Sequence, residues 1–171
     1  LRAAIEAARS EGAESIVLDL RNNPGGLLEE AIGVTSQFLA EGNVLQVRNA
    51  EGEINEIAVR RGGAATETPL VVLINQGTAS AAEIVTGALQ DYGRAQVVGE
   101  TTFGTGTVLN QFTLPDGSAI LLAVEEWLTP TGRVIWHAGL EPDVLVELDA
   151  DVSISIPQTE RELTAEALQA I

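Results

Sequence analysis

The chain contains no lysine; all nine of its basic residues are arginine. It has no cysteine, which excludes thiol catalysis and cysteine-ligated metals and leaves the redox compartment open. A single histidine, His137, excludes any site built from several imidazoles. Methionine is absent as well. Uninterrupted apolar runs fall far short of the ~20 residues needed to cross a bilayer. Positive charge is scarce: 25 acidic residues against nine basic ones give a net charge of −16, and the pI is about 4.2. Nucleic acid is therefore excluded as a partner, because phosphate contacts need clustered positive charge. An anionic membrane surface would repel the domain in the same way.

What is present is ordinary globular material. Of 171 residues, 45% are hydrophobic and 20% charged, enough for one domain with its own core. A chain this long buries roughly 70% of its unfolded surface and needs no disulfide or metal staple. It opens at Leu1-Arg2-Ala3-Ala4-Ile5, which reads as helix interior. The expectation is a fragment or processed product whose missing N-terminus carried a signal peptide and another domain.

Periodicity predicts a helix over 1–11, a buried strand over 15–20 and a second helix over 27–40. Alternating stretches at 43–49 and 54–60 read as a hairpin. An apolar strand at 70–74 leads into a helix over 80–92, striped by Ala81, Ile84, Val85, Ala88 and Leu89. Strands follow at 95–98, 107–114, 118–127, 133–137 and 144–148. Thr159-Glu160-Arg161-Glu162 fits a capping box for a terminal helix over about 159–171. Helices alternate with strands early and hairpins come later, which defines an α/β fold with a mixed sheet and flanking helices.

Two segments share one design of strand, glycine-containing turn and helix. One runs from Ile16–Leu20 into Asn22-Asn23-Pro24-Gly25-Gly26, the other from Leu70–Ile74 into Asn75-Gln76-Gly77-Thr78-Ala79-Ser80. Ligands collect at the carboxyl ends of such strands, where free helix N–H groups can hold an oxyanion. Ser80 stands where a nucleophile would profit, and equally where a simple helix cap would stand. Glu29-Glu30 and Glu125-Glu126 read as solvated charge rather than metal ligands, since adjacent strand residues face opposite ways. Gly99–Gly106 lacks the lysine of a phosphate loop. No cofactor or metal is expected.

Leu18-Asp19-Leu20-Arg21-Asn22-Asn23-Pro24-Gly25-Gly26 resembles a signature of the carboxyl-terminal processing, or tail-specific, proteases of the S41 serine peptidase family. So does Asn75-Gln76-Gly77-Thr78-Ala79-Ser80-Ala81-Ala82-Glu83-Ile84. Gly99–Gly106, Leu128–Arg133 and Gly139–Val144 match further blocks in family order. The resemblance implies a ClpP/crotonase-like ββα core spanning 1–171, with the family's PDZ domain and N-terminal regions outside this chain. It implies a hydrolase, a serine protease acting on protein or peptide C-termini in an extracytoplasmic setting, with unknown oligomeric state. Ser80 falls on the nucleophile, and Ala81 with Gly25 or Gly26 on the oxyanion hole. Asp91 matches an acidic position that some members use to support the site. An acyl-CoA enzyme would share the fold, but these blocks match the peptidases.

One departure bears on the chemistry. The family's general base is a lysine at the position of Thr105, supported by a glutamine where Leu109 stands. A threonine hydroxyl is no base near neutral pH, arginine stays protonated, and the chain has no lysine to substitute. His137 is the replacement to test. A hairpin turn centred between 131 and 132 would set Glu126 opposite His137 and Trp127 opposite Trp136. Glu126 and His137 would then form the orienting pair of a Ser–His–acid triad, or merely a solvated cross-strand pair. The alternative at the level of function is a pseudopeptidase, a peptide-binding scaffold that does not cleave.

Overall fold

The computed structural model describes residues 1–147. In chain order the elements are α1 (Arg2–Ser10), β1 (Ile16–Asp19), α2 (Leu28–Phe38), β2 (Asn43–Asn49), β3 (Ile54–Ala58), β4 (Leu70–Ile74), α3 (Ala81–Asp91), β5 (Gln96–Gly99), β6 (Thr107–Thr113), β7 (Ala119–Leu128) and β8 (Val144–Leu145). The α/β class and flanking helices hold. The parallel and antiparallel strands sort into two four-stranded sheets, β1-β4-β5-β8 and β3-β2-β7-β6. In the first sheet every ladder is parallel, and in the second every ladder is antiparallel.

Alternation along β4 decides which face builds the core. Leu70, Val72 and Ile74 are buried, while Val71 and Leu73 between them are only half-buried. Val97 of β5 joins the buried set. Against it lie Ile84, Val85, Ala88 and Leu89 of α3, Phe38 of α2 and Val44 and Leu45 of β2, in one continuous cluster. Each valine, leucine, isoleucine or phenylalanine among them contributes about 1.5–3 kcal/mol on burial. Every residue of α3 from Ala81 to Leu89 is buried, so this helix is the centre of the domain.

Two predicted features need correction. The strand over 133–137 does not form. After an isolated bridge between Leu128 and Val134, the chain turns, with Ala138 and Gly139 N–H groups both donating to the Ile135 carbonyl. The physical reason is that β7 has no free edge there. Glu126 pairs with Arg48 of β2 on one side and Thr107 of β6 on the other. Glu126 therefore does not face His137, and Trp127, which pairs with Val47 and donates to the Gly106 carbonyl, does not face Trp136. The last predicted strand shortens to Val144–Leu145. The predicted helix over about 159–171 lies outside the described residues.

Asp91 ends α3. A carboxylate at a helix C-terminus is unfavourable to the helix dipole, so it needs donors from elsewhere. Thr131 supplies its N–H at 2.8 Å and its hydroxyl at 2.7 Å, and Arg133 an ion pair at 2.5 Å. Burial pushes this carboxyl up, but the Thr129 and Thr131 donors and the Arg133 charge outweigh it and hold it below the ordinary 3.8. Its stabilisation is therefore complete above that value and drains away as pH falls through the lowered folded value. Asp91→Asn should cost about 1–3 kcal/mol at pH 7. Denaturant unfolding at pH 7 and pH 2.5 should show the variant losing less stability between the two than the parent; equal losses would place the acid sensitivity elsewhere.

Candidate functional site

Parallel pairing of β1 with β4, Ile16 opposite Leu70 through Asp19 opposite Leu73, brings the turns that follow both strands to the same end of the sheet. Asparagines then lock the turns together. Asn75 Oδ1 accepts from Asn22 N–H at 2.8 Å and Gly77 N–H at 3.0 Å, and Asn75 Nδ2 donates to Asn22 Oδ1 at 2.9 Å. Buried Thr78 donates its hydroxyl to the Leu20 carbonyl and accepts from Asn75 N–H. Ala79 N–H donates to the Asn23 carbonyl. Together these contacts fix where Ser80 sits relative to Gly25 and Gly26.

Ser80 occupies a backbone conformation of φ 55° and ψ −121°. A non-glycine residue held there costs about 1–3 kcal/mol and persists only where its surroundings impose it. The other described non-glycine residues with positive φ are Asn22 and His137, so backbone strain concentrates on three loops around one site. Ser80 and Glu83 stand in a capping-box arrangement. The Glu83 half is a 2.8 Å bond from Ser80 N–H to Oε2. The hydroxyl half, from the Glu83 N–H toward the Ser80 side chain, is present as well, but as a contact outside hydrogen-bond geometry, and the Glu83 N–H donates to the Ser80 carbonyl at 2.8 Å.

Glu83 is fully buried and accepts from four donors. Besides Ser80 N–H, these are the Thr102 hydroxyl at 2.5 Å and the N–H groups of Gly104 and Thr105 at 2.8 Å each. A buried carboxylate is tolerable only when its lone pairs are filled in this way. One oxygen, Oε2, serves both Ser80 and Thr105, which places residue 105 beside the serine through the backbone alone.

Gly25 is pressed against Ser80. It has φ +91°, and a Cβ there would lie 2.7 Å from Ala81 N and 2.8 Å from Ser80 Cβ, so no other residue fits. Gly25 N–H donates to Asn23 Oδ1. That leaves Gly26 N–H and Ala81 N–H without a partner among the described residues, the latter at the dipole end of α3. Beside them opens a cavity of about 220 Å³, walled by Leu20, Leu27, Ala31, Val34 and Val85, with Glu30 among its lining residues.

The remaining candidates are less close. His137 is exposed, its ring 4.1 Å from that of Trp136, and its N–H donates to the Gly104 carbonyl at 3.0 Å. Its backbone thus touches the loop that carries Thr105. Glu126 is committed to Arg48, which reaches its Oε2 through Nε at 3.0 Å and through Nη2. Asp91 lies at the opposite end of α3 from Ser80, about 16 Å along the axis, and its bonds hold the 129–133 turn. Leu109 is exposed on β6. Among the described residues no group of three or more His, Asp or Glu is placed to hold a metal, and no helix is long and apolar enough to cross a membrane. Sequence reasoning missed Glu83 and Thr102. Ser80-x-x-Glu83 carries the capping-box spacing that would have revealed the first.

Residues 1–146 match the family description Peptidase family S41, and the chain belongs to that family. It is 46% identical over 144 residues to a carboxyl-terminal-processing protease of Synechocystis sp., an alignment covering 84% of this chain and 34% of the relative. It is 42% identical over 146 residues to the carboxy-terminal processing protease CtpA of Bacillus subtilis, covering 85% and 31%. Among solved structures, the photosystem II D1 C-terminal processing protease superposes with a TM-score of 0.80 at 35% identity, over 85% of this chain and 38% of that one. The chain thus spans about a third of the length of these relatives.

Glu83→Gln replaces one accepting oxygen with an N–H₂ donor that must face a donor already present. It should destabilise the domain by about 3 kcal/mol. Amide exchange at Ser80, Gly104 and Thr105 should accelerate together, by roughly 100-fold. Acceleration spread evenly over the whole sheet would show global loosening instead of a local release.

Proposed function

We propose that this chain is the catalytic core of a serine endopeptidase that cleaves C-terminal segments of proteins. One observation carries the reading: Ser80 is held in a strained strand-to-helix turn beside the amides of Gly26 and Ala81, which have no partner among the described residues. In this reading Ser80 Oγ attacks the scissile carbonyl carbon and the carbonyl oxygen gains the negative charge. The Ala81 amide and the glycine turn, through Gly26, receive that oxyanion. The apolar cavity beside them takes the side chain that precedes the cleaved bond. The substrate docks as an added strand. The extracytoplasmic setting expected of the family and a PDZ domain elsewhere in the full-length protein belong to the same proposal.

The hydroxyl proton needs an acceptor. His137 is assigned that role because imidazole is the usual general base and this one's backbone is bonded to Gly104, next to Thr105. Glu126 is not its orienting acid, since Arg48 holds that carboxylate. When the peptide bond breaks, the same imidazolium returns its proton to the leaving amine, and water then releases the acyl group from Ser80. The replacement of lysine by Thr105 favours a second reading, in which the site binds peptide ends without cutting them.

A fluorophosphonate probe separates the two. The active reading expects stoichiometric labelling that vanishes in Ser80→Ala and slows at least 100-fold in His137→Ala. Peptide cleavage by the full-length protein should fall alike in both single variants, with the double variant little worse, since residues acting as a unit are not additive. A folded protein that binds peptide but resists the probe is the scaffold. Unchanged labelling in His137→Ala would assign the base to another domain or subunit.

A further inference from the structure

Leu27, Glu30, Ala31 and Val34 fall at i, i+3, i+4 and i+7, the spacing of one helix face, and all four line the cavity beside Ser80. A stripe that faces a cavity in this way is ordinarily apolar throughout. Here a carboxylate interrupts it. Among the described residues Glu30 is the one charged group that lines the cavity. It is exposed, as is Leu27, whereas Leu20, Ala31, Ala82 and Val85 are buried. The floor is therefore hydrocarbon, and the charge stands at the open edge.

Glu29 and Glu30 are neighbours with different commitments. Glu29 pairs with Arg60. Glu30 makes no ion pair among the described residues. The net charge of −16 adds a field that draws cations toward such a carboxylate and turns anions away. Position along α2 matters as much as charge. Gly26, whose amide is assigned to the oxyanion, immediately precedes Leu27. Glu30 stands three residues beyond Leu27, about 5 Å along the helix axis. A side chain entering from the serine passes Leu27 first. One that is long and unbranched ends level with Glu30.

We propose that Glu30 is a specificity residue, which selects a basic side chain, lysine or arginine, at the position before the cleaved bond. The placing of that bond rests on the peptidase reading above. The aliphatic stem lies along Leu27, Ala31 and Val85, and the cationic head meets the Glu30 carboxylate at the edge of the cavity. An acidic side chain meets like charge there and is rejected. A neutral apolar one fits the floor and leaves the carboxylate unused. Because Glu30 is exposed, the ion pair adds no more than about fivefold in affinity.

The test reads binding without cleavage, in Ser80→Ala of the 171-residue chain. The ligands are alanine hexapeptide amides with one central residue varied: lysine, norleucine or glutamate. Norleucine is the lysine stem without its charge. At about 20 mM salt, dissociation constants should favour lysine over norleucine by about fivefold and over glutamate by at least about 25-fold. The advantage over norleucine should vanish at about 500 mM salt. Glu30→Gln should erase it without weakening norleucine. Glu29→Gln removes the same charge one residue off the cavity face and should leave lysine ahead. Lysine binding no tighter than norleucine with Glu30 in place overturns the proposal. So does a preference that survives Glu30→Gln, one lost equally in Glu29→Gln, or failure of every peptide to bind. Fluorophosphonate labelling of the chain with Ser80 intact decides the cleavage reading separately: a chain that resists the probe yet prefers lysine through Glu30 is a peptide-binding scaffold with this specificity.

Discussion

The buried carboxylate of Glu83 is the interaction on which the site depends. Three segments distant in sequence meet on it: the serine turn, Thr102 and the glycine loop at 104–105. Each N–H it accepts belongs to backbone that would otherwise be free to move. In a water-poor interior such charge-assisted bonds are strong, and the penalty for leaving the carboxylate bare is stronger still. This is what balances the cost of holding Ser80 at φ 55°. The asparagine and threonine bonds between the two turns then set the serine against Gly25. Strain at the serine and satisfaction at the carboxylate are two sides of one arrangement.

Much of the fold is legible in the sequence because its signals are local. The apolar run Leu70–Ile74, the stripe over 80–92 and the early alternation of helix and strand each follow from side-chain period, and each is found. The pairing of the two glycine turns is legible too, since it follows from parallel neighbours. What escapes is non-local. A strand over 133–137 rests on one turn and an assumed centre, and takes no account of β2 and β6, which occupy both edges of β7 at Glu126. A register error at that turn moves every partner of the presumed pair. Arg48, the true partner of Glu126, lies 78 residues away and gives no local sign.

Within the site the same division holds. Ser80, Gly25, Gly26 and Ala81 are legible as two turns of one design, and the structure brings them together. Glu83 and Thr102 escape, since a buried acid looks in sequence like any surface acid on a helix. Asp91 stands out by its place in the sequence, yet one helix length separates it from Ser80. It works on the 129–133 turn, which also packs on α3 where Gly87 leaves room for the Thr129 methyl. Gly104, whose carbonyl accepts from His137, donates its own N–H to Glu83.

The position of the 104–105 loop is separable in this architecture from the side chain that it carries. Residue 105 is brought beside Ser80 by its backbone N–H on Glu83 Oε2, a contact that any side chain but proline preserves. The loop geometry is therefore indifferent to whether a lysine or a threonine stands there. The serine turn and its neighbouring amides are likewise backbone features, anchored by asparagines and glycines rather than by the side chain at 105. A change of side chain at residue 105 thus leaves Ser80 at its positive φ, beside the Gly26 and Ala81 amides. The His137 turn reaches that loop through one backbone bond, to the Gly104 carbonyl, and its residue too is held at positive φ. A histidine fixed there by its main chain is thus joined to Ser80 through a loop whose conformation Glu83 already enforces.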